Sequence, residues 1–192
     1  MNLRLSFLKA AVGLITSALA LAVVPAAYAY PPGQELTVTS DKVQVRHYGN
    51  VTFRATKAKP NTSVKFVWNG RTQTRTADGS GTVGATFKAS SVGIFTARVT
   101  NQAEAATAKV WVPRLYVHTR ERAAGVWNHL HVKYAKPGAV VKVVVGGNNY
   151  FGTVAATGVA EVKFRMQANK GYFNAKIYSG SSYLGFLQLR SV

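Results

Sequence analysis

Hydrophobic and polar residues alternate along much of this 192-residue chain. A period of two with one apolar face is typical of half-buried β-strands in a sandwich. The apolar positions of four such runs are Val51, Phe53, Ala55; Val83, Ala85, Phe87; Leu130, Val132, Tyr134; and Ala160, Val162, Phe164, Met166. No segment after residue 29 shows the 3.6-residue period of an amphipathic helix. The pattern therefore predicts an all-β protein.

The chain also repeats itself at an offset of 77 residues. Lys59-Pro60 matches Lys136-Pro137, and residues 64–68 match residues 141–145. After one inserted residue, residues 93–99 match residues 171–177. Two units of about 80 residues fit this repeat better than a single domain does. We therefore predict two domains, residues 30–113 and residues 114–192, with the boundary near Pro113.

Turn signals stand at matching places in the two units. Asn69-Gly70 in the first unit and Gly146-Gly147 in the second each separate two apolar runs. Two-residue turns of this composition are strong short-range signals of a β-hairpin. Residues 78–81, with the sequence Asp-Gly-Ser-Gly, indicate another turn. Each unit is thus expected to consist of antiparallel strands joined by tight turns.

The spacing of particular residues resembles that of immunoglobulin domains. Residues 51–55 are similar to the second strand, with Ala55 where the first cysteine would stand, and Trp68 lies where the core tryptophan belongs. Residues 93–97 resemble the G-x-Y-x-C stretch, with Phe95 and Ala97 replacing its tyrosine and cysteine. The matching positions of the second unit are Val132, Val145 and Ala175.

The resemblance implies two tandem Ig-like antiparallel β-sandwich domains without disulfides. It further implies an exported bacterial protein, with an actinobacterial source left open. A fibronectin type III sandwich fits the same spacing, so both topologies stay open at this point. Without a disulfide each small core must be held by packing alone, and we expect Phe66, Trp68 and Phe164 to be core residues.

Residues 1–29 have the pattern of a secretory signal peptide. Arg4 and Lys9 precede an uncharged apolar run over residues 10–24, and Ala27-Tyr28-Ala29 forms an A-x-A cleavage site. The alternative is an uncleaved membrane anchor. We expect cleavage, no transmembrane segment in the mature chain, and an extracellular protein that is secreted or held non-covalently at the cell wall. Zero cysteines in an exported chain favour a bacterial source.

Composition argues against an enzyme. The chain has no cysteine and only six carboxylates, and it lacks the common nucleophile, metalloprotease and nucleotide-binding motifs. Glu121 and Glu161 could be imagined as a glycosidase pair, but their spacing gives no support and both are expected to be solvated. We therefore predict a non-catalytic protein without a cofactor.

Three histidines are the one arrangement that could bind a metal. His129 and His131 share one face of a predicted strand, and with His118 they could chelate Zn²⁺ or Cu²⁺. No carboxylate adjoins them in sequence to orient the rings. We favour ordinary surface histidines and predict no metal, while the sequence leaves metal binding open.

The positive charge gives the remaining functional signal. Lysine and arginine number 24 against six acidic residues, a formal net charge of +18. A field of this sign attracts polyanions in a salt-dependent way. Outside a bacterial cell these would be teichoic acid, acidic polysaccharide or extracellular DNA, although the charge could also serve only solubility.

Alternation places certain basic and aromatic residues on exposed sheet faces. In the second unit Tyr172, Lys176 and Tyr178 should share one outward face, and tyrosine with lysine suits a sugar or base that carries an anionic group. The predicted ligand-binding residues are Tyr172, Lys176, Tyr178, Lys142, Lys65 and Arg98.

The resulting hypothesis is an exported binding or structural module that engages an anionic polymer of the cell envelope or its surroundings. The alternative is a secreted effector, such as an inhibitor or a cationic antimicrobial protein. A protein partner is left open in both cases.

Overall fold

The computed structural model describes residues 35–192, so the predicted signal peptide at residues 1–29 lies outside the described residues. The described chain consists of strands, turns and loops, with no helix. Seven strands form a first β-sandwich: β1 (Thr37–Ser40), β2 (Asn50–Thr56), β3 (Ser63–Trp68), β4 (Arg71–Thr76), β5 (Val83–Lys88), β6 (Gly93–Asn101) and β7 (Glu104–Val112). The prediction of an all-β fold is confirmed.

Eight further strands form a second sandwich. They are β8 (Arg114–Val117), β9 (Glu121–Arg122), β10 (Trp127–Lys133), β11 (Val140–Val145), β12 (Asn148–Thr153), β13 (Ala160–Arg165), β14 (Gly171–Ser179) and β15 (Ser182–Ser191). All strand pairs are antiparallel except that of the short β9 with β15.

Both sandwiches have the same sheet order. In the first, the sheet β1-β2-β5 faces the sheet β4-β3-β6-β7. In the second, the sheet β8-β10-β13 faces the sheet β12-β11-β14-β15, to whose edge β9 is added. The fourth strand pairs with the third, unlike the division of an immunoglobulin constant domain, where it joins the opposite sheet. The architecture is an Ig-like sandwich of three plus four strands.

Residues that match in the sequence repeat also occupy matching positions in the strand pairing of the two sandwiches. Val64 opposite Asn101 in the first sandwich corresponds to Val141 opposite Ser179 in the second. Two separate clusters of buried side chains accompany the two sets of strands, one ending at Val112 and the other beginning at Leu130. By backbone contacts residues 33–192 form one compact unit, and the domain boundary near Pro113 stays a prediction.

The core of the first sandwich is built on aromatic rings. The Trp68 ring lies 5.5 Å from the Phe53 ring, 6.2 Å from Phe87 and 5.9 Å from Phe95, measured between ring centroids. Burial of each large side chain contributes on the order of 2–3 kcal/mol. Ala55 and Ala97, which replace the cysteines of the immunoglobulin pattern, are both buried.

The core of the second sandwich is mostly aliphatic. Val132, Val145 and Ala175 are buried at the positions that match Ala55, Trp68 and Ala97. Phe164 of this sandwich is also buried, as is Phe66 of the first sandwich, and both were predicted to be core residues.

The predicted hairpins are present with the backbone that they require. Asn69 and Gly70 have φ values of 48° and 73° between β3 and β4, and Gly146 and Gly147 have 54° and 84° between β11 and β12. Two consecutive positive φ values define a type I′ turn, whose twist matches that of antiparallel strands. These turns fix the registers of β3 with β4 and of β11 with β12.

One amide connects the two sandwiches. The buried Gln44 side chain donates a hydrogen bond from Nε2 to Ser179 Oγ at 2.6 Å. Its Oε1 accepts a hydrogen bond from the backbone N–H of Lys136 at 2.9 Å. Removal of this side chain would leave the buried Ser179 hydroxyl and the Lys136 N–H of the second sandwich without their partner, so we expect Gln44 to hold the junction.

Candidate binding face

The outer side of strands β11, β12, β14 and β15 combines exposed aromatic and basic side chains; we call it the aromatic face. Side chains alternate across a sheet, so Phe173, Ala175 and Ile177 of β14 are buried while the residues between them point outward. The large side chains of the aromatic face are Lys142, Phe151, Tyr172, Lys176, Tyr178, Tyr183, Phe186 and Arg190.

One row of side chains crosses all four strands of this face. Lys142 lies opposite Phe151 on one side and opposite Tyr178 on the other, and Tyr178 lies opposite Tyr183. The Lys142 ammonium is 4.8 Å from the centroid of the Tyr178 ring. The Tyr178 and Tyr183 rings are 5.3 Å apart and tilted by 54°. A cation over a ring at this distance is attracted by the ring quadrupole, which orders the row.

A second cation–ring pair stands at the far end of β14. The Arg190 guanidinium lies 5.5 Å from the Tyr172 ring, which is 71% exposed. Glu121 of β9 approaches the same guanidinium at 3.5 Å. Tyr172 and Tyr178 are six residues apart on one strand, so the aromatic face extends roughly 20 Å between them.

Lys176 and Phe186 form the next row and lead toward the junction of the sandwiches. Phe186 lies opposite Lys176 and is 56% exposed. Together with Tyr183 it lines a cleft of about 620 Å³ that is also lined by Arg46 and Tyr48 of the first sandwich. The aromatic face therefore continues into this cleft, which Arg46 lines on the side of the first sandwich.

The predicted ligand-binding residues fall into two groups. Tyr172, Lys176, Tyr178 and Lys142 lie together on the aromatic face. Lys65 and Arg98 are exposed on β3 and β6 of the first sandwich, and each lies opposite residues that are not charged. Their neighbours across the strands are Thr74, Thr100, Val67 and Thr107. We call this outer side of β3, β4, β6 and β7 the threonine face.

Sequence reasoning missed four members of the aromatic face, namely Phe151, Tyr183, Phe186 and Arg190. Phe186 and Arg190 alternate with the inward Leu187 and Leu189, so the period of two in this segment could have found them. Tyr183 could not be found in this way, because a bulge between Ile177 and Tyr178 shifts the register of β14 with β15.

The opposite sheet of the second sandwich carries the histidines. His129 and His131 are half-buried on the outer side of β10, and Glu161 of β13 lies across from His131. His129 Nδ1 and Glu161 Oε1 form a hydrogen-bonded ion pair. Glu161 is exposed on the outer side of β13, as predicted, and the pairing of β10 with β13 brings this distant carboxylate to the histidine.

These contacts change two pKa values. The hydrogen bond with His129 holds the pKa of the Glu161 carboxyl below its usual value. Burial lowers the pKa of His131, whose ring stacks on Tyr116 at 5.2 Å and meets the His118 ring at 4.6 Å. Within residues 35–192 no group of three or more metal-ligating side chains has a geometry that could hold an ion. The sequence leaves metal binding by the histidines open, and the described residues give no support for it.

Few of the basic side chains are neutralised. Among the described residues the ion pairs are Lys42 with Asp41, Arg190 with Glu121, and His129 with Glu161. Asp78 instead accepts hydrogen bonds from Ser80 and Thr82 in its turn, which lowers its pKa. The positive charge is thus available to a partner.

The two carboxylates of an imagined glycosidase pair do not belong to one sheet. Glu121 lies on β9 and pairs with Arg190, whereas Glu161 lies on β13 in the opposite sheet. The part of the chain that the structure describes also contains no helix of the length and apolarity needed to span a membrane.

No protein-family model and no curated protein sequence matches the chain. Among solved structures the chain is similar to the C-terminal 282-residue fragment of intimin, which was solved in complex with the intimin-binding domain of the translocated intimin receptor. The two chains are 13% identical, the match covers 80% of this chain and 62% of that chain, and the TM-score is 0.43. The chain is also similar to invasin, a bacterial integrin-binding protein, with 12% identity, coverage of 81% and 39%, and a TM-score of 0.37.

A further similarity is to a glycosyl hydrolase family 2 member from Bacteroides cellulosilyticus, with 13% identity, coverage of 84% and 24%, and a TM-score of 0.33. The chain spans less than two thirds of each of these three structures. The Ig-like fold of this chain is accordingly assigned from its own strand order and register.

Proposed function

We propose that this protein is an exported, non-catalytic binding module that engages an anionic polymer of sugar units through the aromatic face. The observation that carries the proposal is the shared row of Lys142, Tyr178 and Tyr183, in which a cation and two rings lie on one flat surface. Rings offer an apolar surface to a sugar or base, and ammonium or guanidinium groups attract its phosphate or carboxylate.

The charge of the face supports a polyanion. Strands β11, β12, β14 and β15 contain three basic residues and no carboxylate. Attraction to a polymer adds over many such contacts and is screened by salt. Teichoic acid, acidic polysaccharide and extracellular DNA share this chemistry, and they differ in whether each charged unit contains an open-chain polyol, a sugar ring or a nucleoside.

Two exposed phenylalanines favour a second candidate, a protein partner. Phe151 and Phe186 are 62% and 56% exposed, and aromatic side chains are enriched where proteins associate. A protein partner would be held by these rings and would tolerate salt, whereas a polyanion would be released by it. A secreted effector would use the same aromatic face, to bind either a polyanion or a protein of a neighbouring cell.

The test measures binding of the purified protein to bacterial cell walls with and without teichoic acid, to acidic polysaccharide and to DNA, over a salt series. We expect salt-sensitive binding that Tyr172→Ala weakens about tenfold. The matched control is Ile94→Ala, since Ile94 holds the same position in the first sandwich and is also exposed. Equal binding to every polyanion, with no effect of Tyr172→Ala, would contradict the proposal.

A further inference from the structure

A cleft of about 370 Å³ opens at one end of the second sandwich, between strand β12 and the segment that follows β13. It lies outside the aromatic face and the junction of the sandwiches. Its polar lining consists of Asn148, Tyr150, Arg165, Gln167 and Asn169. Its floor includes Val145 and Met166, both buried. A recess of this size with an apolar floor and a few polar groups has the general form of a small-ligand site.

The sequence repeat explains why this end carries an opening. The position of Val145 is held in the first sandwich by Trp68, which is 1% exposed among three other rings. Replacement of an indole by an isopropyl group removes much of the side-chain volume at this position. Part of that volume is recovered by Met166, which replaces Ala89, and by Tyr150, which replaces Gln73 and whose ring lies 6.4 Å from the Phe164 ring. A cleft remains beside these side chains.

An exposed tryptophan stands beside the cleft: Trp127 does not line it, but its ring lies next to Tyr150 and Arg165, which do. Trp127 and Tyr150 stand where the first sandwich has Asn50 and Gln73. Their rings are 6.2 Å apart and nearly perpendicular, and Trp127 is 49% exposed. Arg165 lies 5.4 Å from the Trp127 ring, which holds the guanidinium beside the opening.

The walls of the cleft are fixed by the backbone. The N–H of Met166 donates to the carbonyl of Val126 at 2.9 Å, and Ser191 Oγ donates to the carbonyl of Gln167 at 2.9 Å. A Cβ on Gly152 would lie 2.6 Å from the Glu161 carbonyl oxygen, so glycine allows β12 to approach β13 beside Tyr150. A site held in this way loses little conformational freedom when a ligand binds.

We propose that this cleft binds an acidic sugar, a pyranose that carries a carboxylate. The Trp127 ring would pack against the C–H face of the pyranose, while the amides of Asn148, Gln167 and Asn169 can both donate to and accept from its hydroxyl groups. The Arg165 guanidinium would pair with the carboxylate in a bidentate manner. No carboxylate of the protein lines the cleft to compete for it. The inference does not depend on the aromatic face.

The test titrates the purified protein with a tetramer of galacturonate and, in parallel, with a neutral tetramer of glucose, by calorimetry and amide chemical shifts. We expect the acidic tetramer to bind at least tenfold more tightly and to shift the amides of residues 145–150 and 165–169. Trp127→Asn, which introduces the residue of the first sandwich at an exposed position, should weaken binding at least tenfold. Arg165→Gln should remove the preference for the acidic tetramer.

Two further variants keep the proposal falsifiable. Val145→Trp restores the residue of the first sandwich and should block the cleft; if it fails to fold, the surface variant Trp127→Asn still decides. Ile94→Ala, at an exposed position of the first sandwich, is the control and should leave the affinity unchanged, while Tyr172→Ala reports separately on any binding of the tetramer by the aromatic face. Equal affinity for both tetramers, no binding of either, or loss of binding in Tyr172→Ala with retention in Trp127→Asn would each overturn the proposal.

Discussion

The two sandwiches share strand order and register but use their aromatic residues in opposite places. The first buries Trp68 with three phenylalanines, and many outward residues of its four-stranded sheet are threonines, with Trp111 beside Lys109 as the aromatic exception. The second has a mostly aliphatic core around Val145 and places several rings on the outer side of the corresponding sheet. Residues facing the core set stability, whereas residues facing solvent are free to set binding. The proposed binding face therefore lies on the second sandwich.

The largest effect is expected from exchange of the core residue. Trp68→Val gives the first sandwich the residue of the second and should lower the free energy of unfolding by about 3 kcal/mol, because the surrounding rings lose their contacts and a cavity remains. Urea unfolding followed by circular dichroism measures this. Val144→Thr, on a half-exposed position of β11, is the control and should change it by less than about 0.5 kcal/mol. A loss below about 1 kcal/mol in Trp68→Val would show that this ring is not central to the core.

The next effect concerns the two outer faces. Phe151, Tyr178 and Phe186 stand where the threonine face has Thr74, Thr100 and Thr107. The triple exchange of these three rings to threonine should weaken polymer binding at least tenfold, since the rings supply the stacking surface.

The reciprocal exchange sharpens the same comparison. Thr74→Phe, Thr100→Tyr and Thr107→Phe together should create measurable binding in the triple-threonine protein, because Lys65 and Arg98 already stand beside these positions. Pull-down on polymer-coated beads measures both variants, and thermal unfolding confirms that each is folded. Undiminished binding by the triple-threonine protein would place the site elsewhere.

A smaller effect is expected for the cations of the aromatic face. Lys142→Gln with Lys176→Gln should weaken binding several-fold at low salt and should reduce the slope of log affinity against log salt concentration, because fewer counterions are released. The matched control is the pair Lys65→Gln with Arg98→Gln on the threonine face. Identical slopes for the two double variants would mean that the charge acts only as a diffuse coat.

The smallest effect is a pH dependence that centres on His131 of the second sandwich. Burial lowers the pKa of His131, so at pH values near and below 6.5 the unfolded state binds more protons than the folded state. The free energy of unfolding therefore decreases as the pH falls through this range. It decreases further at lower pH, where the Glu161 carboxylate, whose pKa is lowered in the folded state, becomes protonated.

His131→Arg provides the test, because the matching position of the first sandwich is Arg54 and an arginine side chain keeps its charge over this pH range. Urea unfolding of both proteins at pH 7.5 and about pH 5.5 should show a smaller decrease in the variant. Equal decreases would assign the dependence to other groups.

Much of the fold could be predicted from the sequence, since alternation and the two-residue turns are local signals. The common outward face of Tyr172 and Tyr178 followed from period two. The core roles of Phe66, Trp68 and Phe164 followed from the absence of a disulfide and, for Trp68, from the Ig-like spacing. The partner of His129 could not, because Glu161 is 32 residues away and only the pairing of β10 with β13 joins them. Contacts across strands depend on register, which a bulge or one inserted residue changes.

The sequence by itself determined the all-β class, the repeat, the tight turns and the side of each strand that is buried, because each of these depends on residues close together in the chain. Only the tertiary structure decided which outward residues meet. It joined Lys142 to Tyr178, placed Trp127 beside Tyr150 and Arg165, and separated Lys65 from the aromatic face. The physical reason is that a binding surface is assembled from several strands, and their order and register are fixed by the packing of the whole core.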